Sequence, residues 1–244
     1  MNSCPHPKST VRPELPPLTD RIAKLPVDER GYPVPFFVQW LDANNGSAEA
    51  GAPGARPEFR MMDGRKWAMC YKLGLCWVCG QLRSPKATFV IGPMCAINRT
   101  SAECPCHYEC AVWSVKGCPF LSRPKMVRRE DELIEQHKPN TAGIALERNP
   151  GVMLLWTSNS YKMFRAPAMG PNQGGILMHV GEPISVEWWR EGRKATRGEI
   201  MESIDSGLPK LQEMCELEPR DKAGAYAELQ RRYDWVHKNL VPVI

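Results

Sequence analysis

The stretch Leu75-Cys76-Trp77-Val78-Cys79-Gly80 decides how the rest of the chain is read. Two cysteines three positions apart, closed by a glycine, form a tight knuckle that aims both sulfurs at one ion. The glycine supplies the positive φ that lets the turn close. A thioredoxin-type redox pair would stand at a helix start, so the glycine directly after Cys79 favours the knuckle. A knuckle brings two ligands, and tetrahedral zinc takes four. His107-Tyr108-Glu109-Cys110 offers the second pair, because residues three apart on the first turn of a helix share a face. A helix N-terminus also stabilises a thiolate. Cys76, Cys79, His107 and Cys110 are the expected metal ligands.

Cysteine usage supports a metal over disulfides. Eight of the ten cysteines fall between residues 70 and 118, whereas cysteines used only as small hydrophobes would be scattered. The first 25 residues include Arg12, Glu14, Asp20 and Arg21 and no apolar core segment, unlike a secretory signal peptide. A cytoplasmic chain with reduced thiols is expected, and clustered thiols there bind metal. The cysteines are in surplus, and Cys95, Cys104, Cys106 and Cys118 are alternates. Two readings stay open: a zinc site in which Cys104 or Cys106 replaces His107, or an iron–sulfur cluster on four cysteines. Cys118 precedes Pro119, as final cluster cysteines often do. Knuckle, strand, then a helix opening with two ligands resembles the treble-clef type of zinc module, with the hairpin in the 27 residues between Cys79 and His107.

Length and composition set the frame. At 244 residues, 43% hydrophobic and 24% charged, the chain matches an ordinary globular protein and excludes collagen-like, coiled-coil and wholly disordered classes. No stretch approaches 18 uncharged apolar residues, so no membrane helix is expected. The 23 prolines are about twice ordinary usage and imply much irregular chain.

The order of segments predicts an α+β chain. Residues 1–30 read as a proline-rich extended arm, 31–121 as the cysteine-rich metal module, 122–150 as a linker, and 151–244 as a β-rich part with C-terminal helices. In the module, Phe36–Leu41 and Phe59–Met62 read as partner strands. Asp63 caps a helix that Gly74 ends. Ala87–Ile91 is a strand stopped by Gly92-Pro93, and Pro105 opens a helix closed by Gly117. Further on, 152–157, 161–165, 176–180 and 184–189 read as strands, with a hairpin turn at Asn159-Ser160. Thr196-Arg197-Gly198-Glu199 is a capping-box pattern. Its helix is expected to end at Gly207, with a short helix from Pro209. The last helix starts near Asp221, with Tyr226, Leu229, Tyr233, Val236 and Leu240 as a core stripe.

Tests for known chemistry mostly exclude. His107-Tyr108-Glu109 matches the start of a zinc deaminase motif, but no Pro-Cys-x-x-Cys follows. His-Glu-x-x-His, Gly-x-Ser-x-Gly and a phosphate loop ending in Gly-Lys-Ser/Thr are absent. The segment between Cys79 and His107 contains no histidine, which argues against an HNH nuclease. Gly170–Gly175 lacks the lysine of a phosphate loop and reads as a plain loop. Net charge is +5, and residues 56–99 alone carry eight basic against two acidic side chains. Arg60, Arg65, Lys66, Lys72, Arg83, Lys86 and Arg99, with Trp67, Tyr71 and Trp77 interleaved, are candidates for contacting phosphates and stacking on bases.

Five stretches carry a family likeness: Gly31-Tyr32-Pro33-Val34-Pro35-Phe36, Cys76–Gly80, Phe89-Val90-Ile91-Gly92-Pro93-Met94-Cys95, Cys118-Pro119-Phe120-Leu121 and Glu187–Arg193 with Ala195-Thr196-Arg197. Together they resemble uncharacterised proteins of bacteria and bacteriophages, over most of residues 31–210. The resemblance implies a bacterial or phage setting and no activity. The sequence thus predicts a non-enzymatic zinc protein that contacts DNA, RNA or a protein partner, without a membrane. An iron–sulfur redox or sensor protein is the alternative, and an enzyme of unrecognised type, with its pocket on the 151–192 sheet, is the third.

Overall fold

The computed structural model describes residues 15–123, 149–168 and 174–243. Most of the 122–150 linker, the first part of the arm and residues 170–173 of the Gly170–Gly175 loop lie outside the described residues.

Strand β1 (Val38–Leu41) pairs antiparallel with β2 (Ser47–Ala48) and β3 (Arg56–Met62), a small sheet closed over Val34, Val38 and Trp40. Asp63 caps α1 (Gly64–Leu73) by accepting from the Arg65 amide at 2.9 Å, and Gly74 ends it in the left-handed region. The chain then forms the Cys76–Gly80 turn and enters β4 (Ala87–Ile91), followed by α2 (Pro93–Asn98) and β5 (Thr100–Ser101). Next come α3 (Tyr108–Gly117) and α4 (Pro119–Ser122).

The second half supplies β6 (Met153–Ser158), β7 (Tyr161–Ala166), β8 (Gly175–Val180), β9 (Pro183–Arg190) and β10 (Arg193–Lys194), then α5 (Arg197–Glu216) and α6 (Lys222–Asn239). The main sheet has the order β10-β9-β6-β4, antiparallel throughout. All six residues of β6 are buried. Because successive side chains on a strand point to opposite faces, burial of every one requires cover on both faces. α3 packs against β4 and β6, while α2 packs against β6, α5 and α6. A third sheet, β5-β8-β7, stands beside it.

The fold is α+β with C-terminal helices, as read from sequence. Several details differ, each for a physical reason. β4 of the cysteine-rich segment is an edge of the main sheet, so one core runs through both 31–121 and 151–244. The stretch 15–30 is not a free arm, because Ile22 is fully buried in that core. α3 starts at Tyr108 and not at Pro105, since Cys106 is held in a bridge to Thr88. α5 does not stop at Gly207 but runs through it and through Pro209. Gly207 serves close packing: a Cβ there would stand 2.9 Å from Met94 of α2.

Candidate metal centre

The knuckle is built from backbone hydrogen bonds. The Cys76 amide donates to the Gln81 carbonyl and the Gly80 amide to the Cys76 carbonyl, each at 2.8 Å. Gly80 has φ +72°, and a Cβ there would meet the Phe36 ring at 2.7 Å, so glycine is required twice over. The amides of Cys79 and His107 donate to the Cys76 sulfur at 3.5 and 3.4 Å. β4 lies between the two ligand pairs, and the Thr88–Cys106 bridge pins the approach to α3. His107 is the N-cap of α3 and Cys110 sits in its first turn, where unpaired amides and the helix dipole favour negative charge.

Cys76, Cys79, His107 and Cys110 therefore converge, with all four ligand atoms within 4.8 Å of one another and all four residues buried. A tetrahedral zinc with bonds of about 2.0–2.3 Å spaces its ligands about 3.5–3.8 Å apart. The His107 Nδ1 lies 3.4 Å from the Cys79 sulfur and 3.9 Å from that of Cys110, close to that spacing. His107 Nε2 is 3.1 Å from the Leu82 carbonyl. A carbonyl can only accept, so Nε2 carries the proton and donates, leaving the lone pair on Nδ1 aimed at the sulfurs. This is the outer hydrogen bond that orients a metal-binding histidine.

The charge balance also fits a cation. Hydrogen bonds from Cys110 and Cys79, then the backbone amides, outweigh burial and draw the Cys76 thiol down to about 2. Cys79 is drawn down by Cys110, but the bond to Cys76, burial and that neighbouring charge prevail and push it up to about 11. Cys110 is pushed strongly upward by its bonds to Cys76 and Cys79 and by burial. The cluster tolerates one thiolate, and a second or third is repelled by the first. A divalent cation among the sulfurs is the charge that lets all three ionise.

The alternates do not join this group. Cys106 donates to the Thr88 carbonyl at 3.2 Å and Cys104 to the Trp67 carbonyl at 3.5 Å. Burial pushes the Cys106 thiol well up, and the Cys95 thiol to about 11. Cys118 caps α4. Sequence reasoning missed the strap across the site: Arg21 donates to Glu109 of α3 at 2.8 Å and to Gln81 of the knuckle at 2.6 Å. The Leu82 carbonyl was missed too, since a backbone acceptor leaves no mark on residue type.

Most of the basic candidates are engaged. Arg60 pairs with Glu58 at 2.7 Å, Arg65 with Asp63 at 3.0 Å and Arg99 with Glu182 at 2.8 Å. Lys66 donates to the Val38 carbonyl at 2.8 Å. Arg83 donates to the Ser84 and Lys86 carbonyls and to the Tyr161 hydroxyl. Lys72 and Lys86 are exposed. Among the described residues, no helix is long and apolar enough to cross a membrane. Set against protein-family models, curated proteins and solved structures, the chain has no match.

Proposed function

We propose that Cys76, Cys79, His107 and Cys110 hold one zinc ion as a closed structural site, in a protein that binds a nucleic-acid or protein partner and catalyses nothing. The observation that carries the reading is the complete donor set, with Nδ1 of His107 aimed at the sulfurs by the Leu82 carbonyl. Four protein ligands leave no position for water or substrate, as in structural and not catalytic zinc sites. When bound, zinc supplies the positive charge that neutralises the thiolates. The nitrogen donor and the separate hydrogen bonds of Cys104 and Cys106 favour zinc over an iron–sulfur cluster. Reduced thiols support a cytoplasmic setting, and the resemblance to bacterial and phage proteins supports a bacterial or phage context.

The test is elemental analysis with a visible spectrum on protein purified anaerobically without a tag. One zinc per chain and no visible absorption is the expected result. Iron with sulfide and a brown colour would overturn it in favour of electron transfer or sensing.

A further inference from the structure

We infer that a basic cleft between α6 and the outer face of β7 and β8 binds single-stranded nucleic acid. This deepens the binding reading above and rests on it, but not on the metal. The cleft has a volume of about 680 Å³. Its lining includes Arg99, Lys162, Arg231 and Arg232 against the carboxylate of Glu228, with Phe164 and Trp235 among them.

The sheet register builds one wall. Lys162 pairs with His179, and Phe164 with Leu177. Residues two apart on a strand share a face, so Lys162, Phe164 and His179 line the same side. α6 builds the other wall, with Arg231, Arg232 and Trp235 at three- and four-residue steps. Arg99 forms the floor. It is the C-cap of α2 at φ 53°, ψ 42°, a left-handed position where glycine or asparagine is ordinary. Its carbonyl accepts from the Val180 amide at 2.8 Å, and its guanidinium lies 5.6 Å from the Trp156 ring centre and 5.2 Å from that of Trp235. A non-glycine residue held in this conformation by its surroundings is a feature that clusters at functional sites. The Arg99 Nε is buried with no hydrogen-bond partner.

Charge accounting leaves the cleft positive. Glu228 holds Arg231 at 2.5 Å and Arg232 at 2.7 Å, and Glu182 holds Arg99. Two carboxylates against four cations leave a surplus of two, and Lys162 is exposed. Burial, then the charges of Arg99, Lys162 and Arg232, lower the His179 pKa against the opposing pull of Glu182, in keeping with a positive potential there. The cations suit phosphates. Phe164, 37% exposed, offers a ring on which a base can stack. Stacking needs a base face that a duplex hides, and this selects a single strand.

The test is fluorescence anisotropy of the full-length, zinc-loaded protein with labelled oligo-dT and oligo-U of about 12 nucleotides, the range such sites cover. A duplex of equal length and polyglutamate serve as competitors. Binding is expected to weaken between about 50 and about 200 mM salt, each neutralised phosphate adding about 0.7 to the log–log slope. Lys162→Glu should weaken binding about tenfold and reduce the slope by about 0.7. Phe164→Ala should weaken it about tenfold with the slope unchanged. Lys72→Glu, on α1, should bind as the parent does. Both cleft residues are exposed, so melting curves and zinc content should stay at parent values. No salt-dependent binding at tens of micromolar protein overturns the proposal. So does binding lost in Lys72→Glu but kept in both cleft variants, or a duplex or polyglutamate that competes as well as the single strand. A wrong metal assignment would appear in the elemental analysis and leave these titrations untouched.

Discussion

Around the knuckle, buried cysteines, Trp77 and Trp113 stand beside isolated bridges at Leu75–Leu82 and Thr88–Cys106. Along β6, Leu154, Leu155 and Trp156 are buried within ladders to β4 on one side and β9 on the other. Both regions belong to one core, yet they are ordered by different means. The sheet is fixed by apolar burial and repeated backbone bonds. Around the knuckle the backbone bonds are isolated turns and bridges instead of a ladder, and the Cys76, Cys79 and Cys110 thiols of the two ligand pairs oppose one another's ionisation. Metal should therefore control local order in the knuckle, while burial of β6 controls global stability.

Two substitutions cross-examine that contrast. Cys79→Ala removes a proposed ligand from the knuckle, and binding of a structural zinc contributes folding free energy directly, about 10–16 kcal/mol as an apparent value in small zinc peptides. The expected outcome is loss of zinc and faster amide exchange through residues 70–118, with β6 and β9 still protected at lower temperature. Trp156→Ala does the converse. The side chain is fully buried and stacked on Trp235, so truncation should cost about 3–5 kcal/mol. That lowers the melting temperature by on the order of 10 °C in a chain of this size, with zinc retained stoichiometrically while folded. If Cys79→Ala keeps its zinc and its melting curve, Cys79 is not a ligand. If Trp156→Ala loses zinc while it is still folded, packing of the sheet and not the metal alone sets order in the knuckle.

A finer comparison separates two costs within the metal module. Gly74 and Gly80 both have positive φ, at +68° and +72°. A Cβ at Gly74 meets nothing within 4 Å, whereas at Gly80 it meets the Phe36 ring at 2.7 Å. Gly74→Ala should cost about 1 kcal/mol, the conformational penalty alone. Gly80→Ala should cost more than that and also speed zinc transfer to a chelator, because the turn that carries Cys79 must shift. Equal effects of the two substitutions on melting and on chelator transfer would show that the Phe36 contact yields freely.

How far these features could be read from sequence follows from the range of the forces involved. The Cys76–Gly80 knuckle, the Asp63 and Thr196 caps, Gly74 and β4 were legible because each depends on neighbours a few residues apart. The spacing of His107 and Cys110 was legible for the same reason. The union of β4 with β6 was not, since their residues lie more than 60 positions apart and no local pattern records the pairing. Gly207 was misread as a stop because a glycine for close packing and one for chain termination look alike until Met94 is in place. The pairing of the basic segment was not legible either. Residue type shows charge, but only the fold shows Glu58, Asp63 and Glu182 beside Arg60, Arg65 and Arg99.

The smallest expected effect concerns a charge outside both regions. Glu199 closes the capping box of α5: it accepts from the Thr196 amide at 2.8 Å and pairs with Arg193 at 2.6 Å. The Arg193 hydrogen bonds first, then the Thr196 amide, hold its pKa at about 2. A carboxyl lowered on folding contributes stability that is fully present above its ordinary value of 4.5 and is lost as pH falls toward 2. Glu199→Gln keeps an oxygen for the Thr196 amide but loses the ion pair, so it should cost no more than about 1 kcal/mol at neutral pH. The gap between parent and variant melting temperatures should hold from neutral pH down to about 5, then close as pH approaches 2. Zinc content at neutral pH should be equal in the two proteins, because the charge removed acts on a helix end. A gap that persists at pH 2 would show that Glu199 acts through packing rather than through its charge.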